Sequence, residues 1–153
     1  MDSLRQLHFS TSINASTEKV WTVLWSENTY SIWTAAFSEG SYVVSEWKEG
    51  GSIRFLSPLG DGLYSKILTI NQNEEMTFQH IGAIKNFEEL KIDEETRKWS
   101  GSLEKYILKH QGDLTILEIF IDVTEEFEDY FNGSFPKALA RIKSLAEEES
   151  VIN

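Results

Sequence analysis

The sequence has 153 residues and contains no cysteine and only two prolines. Without cysteine the chain has no disulfide, no thiolate metal site and no cysteine nucleophile. The lack of disulfides is compatible with a reducing compartment. No apolar run approaches the roughly 20 residues that a membrane-spanning helix needs. The N-terminus also lacks the basic and then apolar segments of a signal peptide. We therefore expect a cytoplasmic protein with no membrane insertion.

Basic residues are scarce. Fourteen lysines and arginines stand against 25 aspartates and glutamates, which gives a formal net charge of −11. Nucleic-acid binding depends on a basic face that neutralises phosphates. The composition therefore predicts no nucleic-acid partner.

The motifs of metal and nucleotide sites are missing too. His8, His80 and His110 fall on three separate predicted strands, without the short spacings typical of zinc ligands. Neither of the glycine-rich patterns that hold nucleotide phosphates occurs in the sequence. We expect no metal and no cofactor.

Aromatic residues, in contrast, make up 12% of the chain. Their large apolar area suits either a dense core or an aromatic-lined cavity, and composition does not separate the two.

One long helix is predicted over Phe135–Glu149. Ser134 can cap it, and Pro136 lies near its start, where a missing N–H does little harm. Its apolar residues recur at the i, i+3, i+4, i+7 spacing of a single helical stripe: Phe135, Ala138, Leu139, Ile142, Leu145 and Ala146.

Most of the remaining chain alternates apolar and polar residues, as half-buried strands do. The predicted strands are Leu7–Ile13, Ser41–Trp47, Ser52–Ser57, Leu63–Asn71, Met76–Gly82, Ser102–His110 and Leu117–Val123. Two short helices follow the first strand, one capped by Ser16 or Thr17 and the other by Asn28 or Thr29. The charged segment Ile84–Lys98 is interpreted as a loop or irregular edge, with a short helix over Glu88–Arg97 as the alternative. The segment Glu125–Gly133 bridges into the long helix.

This order predicts an α+β fold in one domain spanning residues 1–153. Six successive strands without intervening helices favour an antiparallel meander. A helix is about 10 Å across, whereas seven strands span more than about 30 Å. One helix therefore cannot cover the sheet, so the sheet curls, the short helices help to cover it, or a cavity remains. An interior filled by side chains is the alternative.

Several strings in this order resemble the START-like (SRPBCC, helix-grip) superfamily, in particular the branch of activator-of-heat-shock-ATPase homologues that is common in bacteria. The strings are INASTEKVWTVL (Ile13–Leu24), WKEGGSIRF (Trp47–Phe55), MTFQHIG (Met76–Gly82), EKYILKHQGDLTIL (Glu104–Leu117) and FPKALARIKSLAE (Phe135–Glu147).

The resemblance implies a curved seven-stranded antiparallel sheet wrapped around the C-terminal helix, with an internal cavity for an apolar ligand. It implies no shared catalytic motif, because the superfamily includes lipid carriers, hormone receptors, aromatic cyclases and co-chaperone-like domains. The named branch implies a role in the stress response.

Glu104 and His80 are the candidate polar groups of such a cavity. Lys105 and Lys109 should point outward, which turns Glu104 inward with Tyr106. A carboxylate facing an apolar cavity can serve as an acid or a base. The sequence favours a plainer position, hydrated near a strand end or paired with a lysine. His80 shares a face with Met76 and Phe78, and it is interpreted as a structural histidine because no catalytic partner is identifiable.

The other candidates are apolar or aromatic. Trp33, Phe37 and Phe55 either line the cavity mouth or simply pack. Tyr64 and Tyr106 either offer hydroxyls to a ligand or serve as core aromatics. Arg54 either clamps a ligand carboxylate or lies on the solvated face. The predicted cavity lining is Trp33, Phe37, Phe55, Tyr64, Phe78, His80, Glu104, Tyr106, Ile119, Leu139 and Ile142.

Three functions follow, in order of preference. The first is a binding module for an apolar or aromatic small molecule. The second is a protein-interaction module that assists a chaperone or another protein, and the third is a cyclase- or hydrolase-type enzyme that uses a cavity Glu, His or Tyr. The sequence supplies no nucleophile with its base, so no catalytic residue is assigned and catalysis ranks last. It leaves open whether the protein is a monomer or a dimer.

Overall fold

The computed structural model describes residues 4–148. The helices and strands in chain order are β1 (Arg5–Ile13), α1 (Thr17–Trp25), α2 (Glu27–Thr34), β2 (Tyr42–Ser45), β3 (Ser52–Leu56), β4 (Gly62–Asn71), β5 (Glu75–Lys85), β6 (Glu88–Glu89), α3 (Glu94–Arg97), β7 (Leu103–Gln111), β8 (Leu114–Val123) and α4 (Glu125–Glu147). No helix among these described residues is long and apolar enough to span a membrane.

The strands form one curved antiparallel sheet in the order β1-β8-β7-β5-β4-β3-β2. The predicted meander is confirmed, since β2 to β5, β7 and β8 pair with their neighbours in sequence. The first strand closes against the last. These are the seven expected strands. An eighth, the two-residue β6, pairs with the end of β5.

The prediction that the last helix begins at Phe135 is wrong. Helix α4 begins ten residues earlier and runs without interruption through Gly133 and Pro136. Ser134 is therefore not a cap: its Oγ donates to the carbonyl of Tyr130, one turn back within the helix, at 2.9 Å. Proline removes an intrahelical hydrogen bond. The buried face of this helix, which includes Phe135, compensates because tertiary packing supplies most helix stability.

The two short helices after β1 are confirmed, with one corrected start. Ser16 caps α1 by accepting from Lys19 N at 3.1 Å. Helix α2 begins at Glu27, directly after Ser26, so neither Asn28 nor Thr29 is its cap. Thr29 Oγ1 instead donates back to the Val23 carbonyl at 2.6 Å, which ties the two helices together.

The charged segment before β7 forms an irregular edge of the sheet, which is one of the predicted alternatives. It contains the two-residue strand β6, paired with β5, and the four-residue helix α3, so the alternative of one helix over Glu88–Arg97 is wrong. Asp93 caps α3 by accepting from Thr96 N at 2.8 Å. This bond lowers the pKa of Asp93.

The core lies between the sheet and the second half of α4. The stripe predicted on this helix is buried as expected at Ala138, Leu139, Ile142 and Ala146. These side chains belong to one apolar cluster with Ile13, Leu117 and Ile119 of β1 and β8. Burying one such aliphatic side chain contributes about 1.5–3 kcal/mol, so this cluster fixes the helix on the sheet.

Candidate functional site

A cavity of about 940 Å³ lies between the sheet, α2 and the first half of α4. Its walls are mainly aromatic, and helices and strands distant in sequence contribute them. The aromatic residues that line it are Trp25, Tyr30, Trp33, Phe37, Tyr42, Phe55, Phe78, Trp99, Tyr106, Phe127, Tyr130, Phe131 and Phe135.

The rings at the base of this cavity meet edge to face. Trp25 contacts Phe78 and Tyr106 with ring centroids 5.4 and 4.9 Å apart and nearly perpendicular planes. Phe55 meets Phe78 in the same way at 5.1 Å. Trp33 is fixed by a hydrogen bond from its Nε1 to the Leu24 carbonyl at 3.1 Å. Edge-to-face pairs favour defined ring positions, so this wall is preorganised.

Four polar side chains form a hydrogen-bonded chain in the wall. The Oγ of Ser65 lies 2.7 Å from Nδ1 of His80, and Nε2 of the same imidazole lies 2.9 Å from Oε1 of Glu104. The other oxygen of Glu104 accepts from the hydroxyl of Tyr106. His80, Glu104 and Tyr106 line the cavity, whereas Ser65 lies behind His80 and is 2% exposed.

Sheet register brings these four residues together. Glu104 and Tyr106 lie two apart on one face of β7, and Phe78, two residues before His80, pairs with Glu104. A register shift between β4 and β5 leaves Ile81 without a paired residue on β4. Because of this shift, His80 pairs with Ser65. Such an irregularity re-aims side chains locally, and here it brings the hydroxyl onto the imidazole.

Burial shifts the pKa of two tyrosines at this site. Burial, and secondly the charge of Glu104, raises the pKa of Tyr106 well above its ordinary value. Burial and then Glu104 also raise the pKa of Tyr30. Both phenols therefore stay protonated, and Tyr106 remains a hydrogen-bond donor to Glu104.

Four acidic residues contribute to the lining of this cavity: Glu39, Asp61, Glu104 and Asp122. Asp122 accepts from the backbone N–H of Leu103 at 2.9 Å. Within residues 4–148 the lining includes no lysine and no arginine. The cavity is thus aromatic and acidic.

The predicted lining residues divide into two groups, apart from Tyr64. Those that the structure places at the cavity are Trp33, Phe37, Phe55, Phe78, His80, Glu104 and Tyr106. Ile119, Leu139 and Ile142 lie in the packed core instead. Tyr64 lies across Gly82, where an added Cβ would come within 2.6 Å of its ring, and its hydroxyl donates to the Leu90 carbonyl. Ligand contact by any of these side chains stays a prediction.

The expected surroundings of Glu104 were wrong. It lies near the start of β7, as expected, but it is bonded to a histidine and a tyrosine, is not paired with a lysine, and its side chain is only 17% exposed. His80 has the partners that sequence reasoning did not find. Arg54 lies on the exposed surface, 2.8 Å from a carboxylate oxygen of Glu89, and does not reach the cavity.

Sequence reasoning missed Ser65 and the aromatic residues Phe127, Tyr130 and Phe131. The signal for Ser65 was weak, because it is only a small polar residue two positions before the buried Ile67. The helical spacing of the three aromatics was visible, but an early helix start was needed to bring them to the site. Within the described part of the chain, no group of three metal-ligating side chains is present.

Solved structures share this fold. Aha1 of Colwellia psychrerythraea, solved as a dimer, superposes with a TM-score of 0.72 at 18% identity, covering 94% of this chain and 97% of that one. Protein MLL2253 of Mesorhizobium loti gives 0.70 at 12% identity over 92% and 96% of the two chains. CalU16 of Micromonospora echinospora gives 0.64 at 18% identity over 97% and 80%.

No protein-family model and no curated protein matches the sequence. At these identities the structural likeness establishes the fold alone. The predicted helix-grip fold is confirmed, and the chain shares this fold with Aha1 and CalU16.

Proposed function

We propose that this chain is a small-molecule binding module whose ligand is apolar or aromatic and occupies the cavity beneath the first half of α4. The single observation that carries the proposal is the cavity itself, about 940 Å³ with mainly aromatic walls. That volume lies within the range of about 300–1,000 Å³ typical of small-molecule sites. We further propose that residues 1–153 act as one domain in the cytoplasm.

The concave and mainly aromatic lining favours this function over a protein-interaction module. Small-molecule sites are typically concave and mostly apolar, with a few polar groups that fix the orientation of the ligand. The hydrogen-bonded side chains of His80, Glu104 and Tyr106 supply such polar groups beside the aromatic rings.

The test combines native mass spectrometry of the purified protein with thermal shifts against fatty acids, sterols and aromatic polyketides. A ligand at 100 times its Kd stabilises the fold by about 2.7 kcal/mol, which a melting curve resolves. Phe55→Ala should weaken binding of the selected ligand at least tenfold. Phe120→Ala is the matched control, because Phe120 stacks on His8 at 4.4 Å and lies outside the cavity lining.

A clean apo mass with no shift across the panel would reject the proposal for those ligand classes. Equal loss of affinity in both phenylalanine variants would place the ligand elsewhere.

The second candidate function is acid–base catalysis on the bound molecule, and the chain from Ser65 through His80 and Glu104 to Tyr106 favours it. A histidine or a carboxylate can remove a proton beside a carbonyl, and the hydrogen-bonded pair of His80 and Glu104 supplies both groups at the cavity. The probe is 2-acetonaphthone in D2O, whose methyl protons exchange when the enolate forms. Exchange that is faster with the protein than with Glu104→Gln supports catalysis, and equal rates reject it.

A further inference from the structure

We propose that the ligand of this cavity is cationic: an apolar or aromatic molecule that carries a protonated amine. The inference rests on the proposed function and specifies the chemical class of its ligand. It follows from the charged side chains of the lining, which are Glu39, Asp61, Glu104 and Asp122, with no lysine or arginine from residues 4–148 among them.

An anionic ligand would find no lysine or arginine among the lining residues that the structure describes. Several basic side chains with ion-pair partners lie elsewhere on the molecule, among them Arg54 with Glu89, Lys109 with Glu118 and Lys143 with Glu147. The net charge of −11 also repels anions before they arrive. A buried charge without a partner is strongly unfavourable, so fatty acids and other carboxylates are poor ligands.

Exposed and partly buried carboxylates would act on a cationic ligand in two ways. Glu39 and Asp61 are exposed, and their charge attracts a cation from solvent. Glu104 is 17% exposed and lies among buried groups, where the same charge acts with less solvent screening. The ligand's apolar body then replaces water along the aromatic walls.

Glu104 has capacity for one more donor. Its two oxygens each take part in one hydrogen bond, with His80 and with Tyr106. A carboxylate offers about four acceptor positions. An ammonium group that enters from the cavity can therefore donate to Glu104 without displacing either partner, and such charge-assisted bonds are the strong ones.

The rings next to Glu104 favour the same charge. Phe55 lies 5.8 Å from the imidazole of His80 and meets Phe78, and both phenylalanines border the cavity. Aromatic faces attract cations through their quadrupole, and the attraction strengthens when water is excluded. The carboxylate and the rings therefore select for a positive charge attached to an apolar body.

Three probes with the same aromatic body test this inference: 2-naphthylmethylamine, 2-naphthylmethanol and 2-naphthoic acid. Each is titrated calorimetrically into the full chain at pH 7, in low salt and in 0.15 M salt. We expect the amine to bind at least tenfold more tightly than the alcohol, and the acid to bind at least tenfold more weakly than the alcohol. This series uses only the wild-type chain, so it decides the charge preference even if a variant fails to fold.

Two matched variants locate the effect. Glu104→Gln should weaken amine binding at least tenfold and change alcohol binding less than threefold. Glu118→Gln removes a carboxylate of equal charge that lies outside the cavity, next to Lys109 and His8, and should leave both affinities within twofold. Equal weakening in both variants would mean that overall charge, not Glu104, sets the preference, and would overturn the assignment.

The outcomes of these titrations distinguish failure of the cationic-ligand inference from failure of the proposed binding function. Binding of the alcohol or the acid as tightly as the amine overturns the cationic ligand and leaves the binding module standing. Failure of all three probes and of the apolar panel overturns the binding module, and the inference with it.

Discussion

The two halves of α4 cover very different interiors. The second half contributes the buried aliphatic side chains Ala138, Leu139, Ile142 and Ala146 to the core, with Ile13, Leu117 and Ile119 of the sheet. The first half presents Phe127, Tyr130, Phe131 and Phe135 to the cavity. One continuous helix thus serves as a core element at one end and as a cavity wall at the other.

Side-chain shape accounts for this difference. Small and branched aliphatic groups interdigitate and fill space to crystal-like density. Rigid rings that meet edge to face favour defined centroid distances, as Trp25 does with Phe78 at 5.4 Å and with Trp33 at 6.5 Å. The four lining carboxylates are also confined to the aromatic end. We therefore expect the second half of α4 to contribute more to stability, and we propose that the first half contacts the ligand.

The largest expected effect comes from a change in the packed half. Ile142→Ala removes a fully buried side chain and should lower the free energy of unfolding by about 2–5 kcal/mol. Phe131→Ala at the cavity wall removes a partly buried ring that borders existing space, and should cost about 1–2 kcal/mol. Urea denaturation measures both. Equal losses would contradict the division into a packed half and a cavity half.

A smaller effect is expected from the polar chain in the cavity wall. Ser65→Ala leaves Nδ1 of the buried His80 without the hydroxyl it contacts, which should cost about 1–3 kcal/mol. Ser10→Ala on the exposed face of β1 is the matched control and should change stability by less than about 0.5 kcal/mol. If Ser65→Ala is as neutral as Ser10→Ala, the hydroxyl does not support His80.

Alkaline pH should act on the cavity half through its two buried phenols. Below pH 10 the phenols of Tyr30 and Tyr106 are protonated in both the folded and the unfolded chain. In that range their ionisation does not change the free energy of unfolding. Above pH 10 they ionise only in the unfolded chain, because burial raises their pKa in the folded one. Each should then remove about 1.4 kcal/mol of stability per pH unit.

Urea midpoints between pH 9 and 11, followed with tyrosine absorbance at 295 nm, measure this slope. Tyr106→Phe should remove about half of it. An unchanged slope in that variant would show that Tyr106 ionises normally in the folded protein.

The smallest effect on stability is expected for an ion pair that lies outside both the packed half and the cavity half of the molecule. Arg54 and Glu89 are both 42% exposed at the side chain, so their pairing is screened by water and salt. A double-mutant cycle with Arg54→Ala and Glu89→Ala should give a coupling of about 0–1 kcal/mol. A coupling above about 2 kcal/mol would mean that the edge strand β6 contributes as much as the interior does.

Much of the fold could be predicted because local patterns and tertiary contacts agree over most of the chain. The alternation of Leu117, Ile119, Ile121 and Val123 fixed one inward face, and all four residues are buried. The outward lysines on β7 correctly turned Glu104 and Tyr106 inward. The start of α4 was missed because Gly133 and Pro136 are local signals for a helix break, whereas burial against the sheet carries the helix through them.

The sequence by itself determined the order of the elements, the faces of the strands and the acidic, cysteine-free character of the chain. Those properties depend on residue type and on periods of two or 3.6, which are local. Only the tertiary structure decided that Ser65 reaches His80, that His80 reaches Glu104, and that aromatic rings enclose space. These depend on strand register and on how side chains from distant segments meet, and a one-residue shift in register changes them completely.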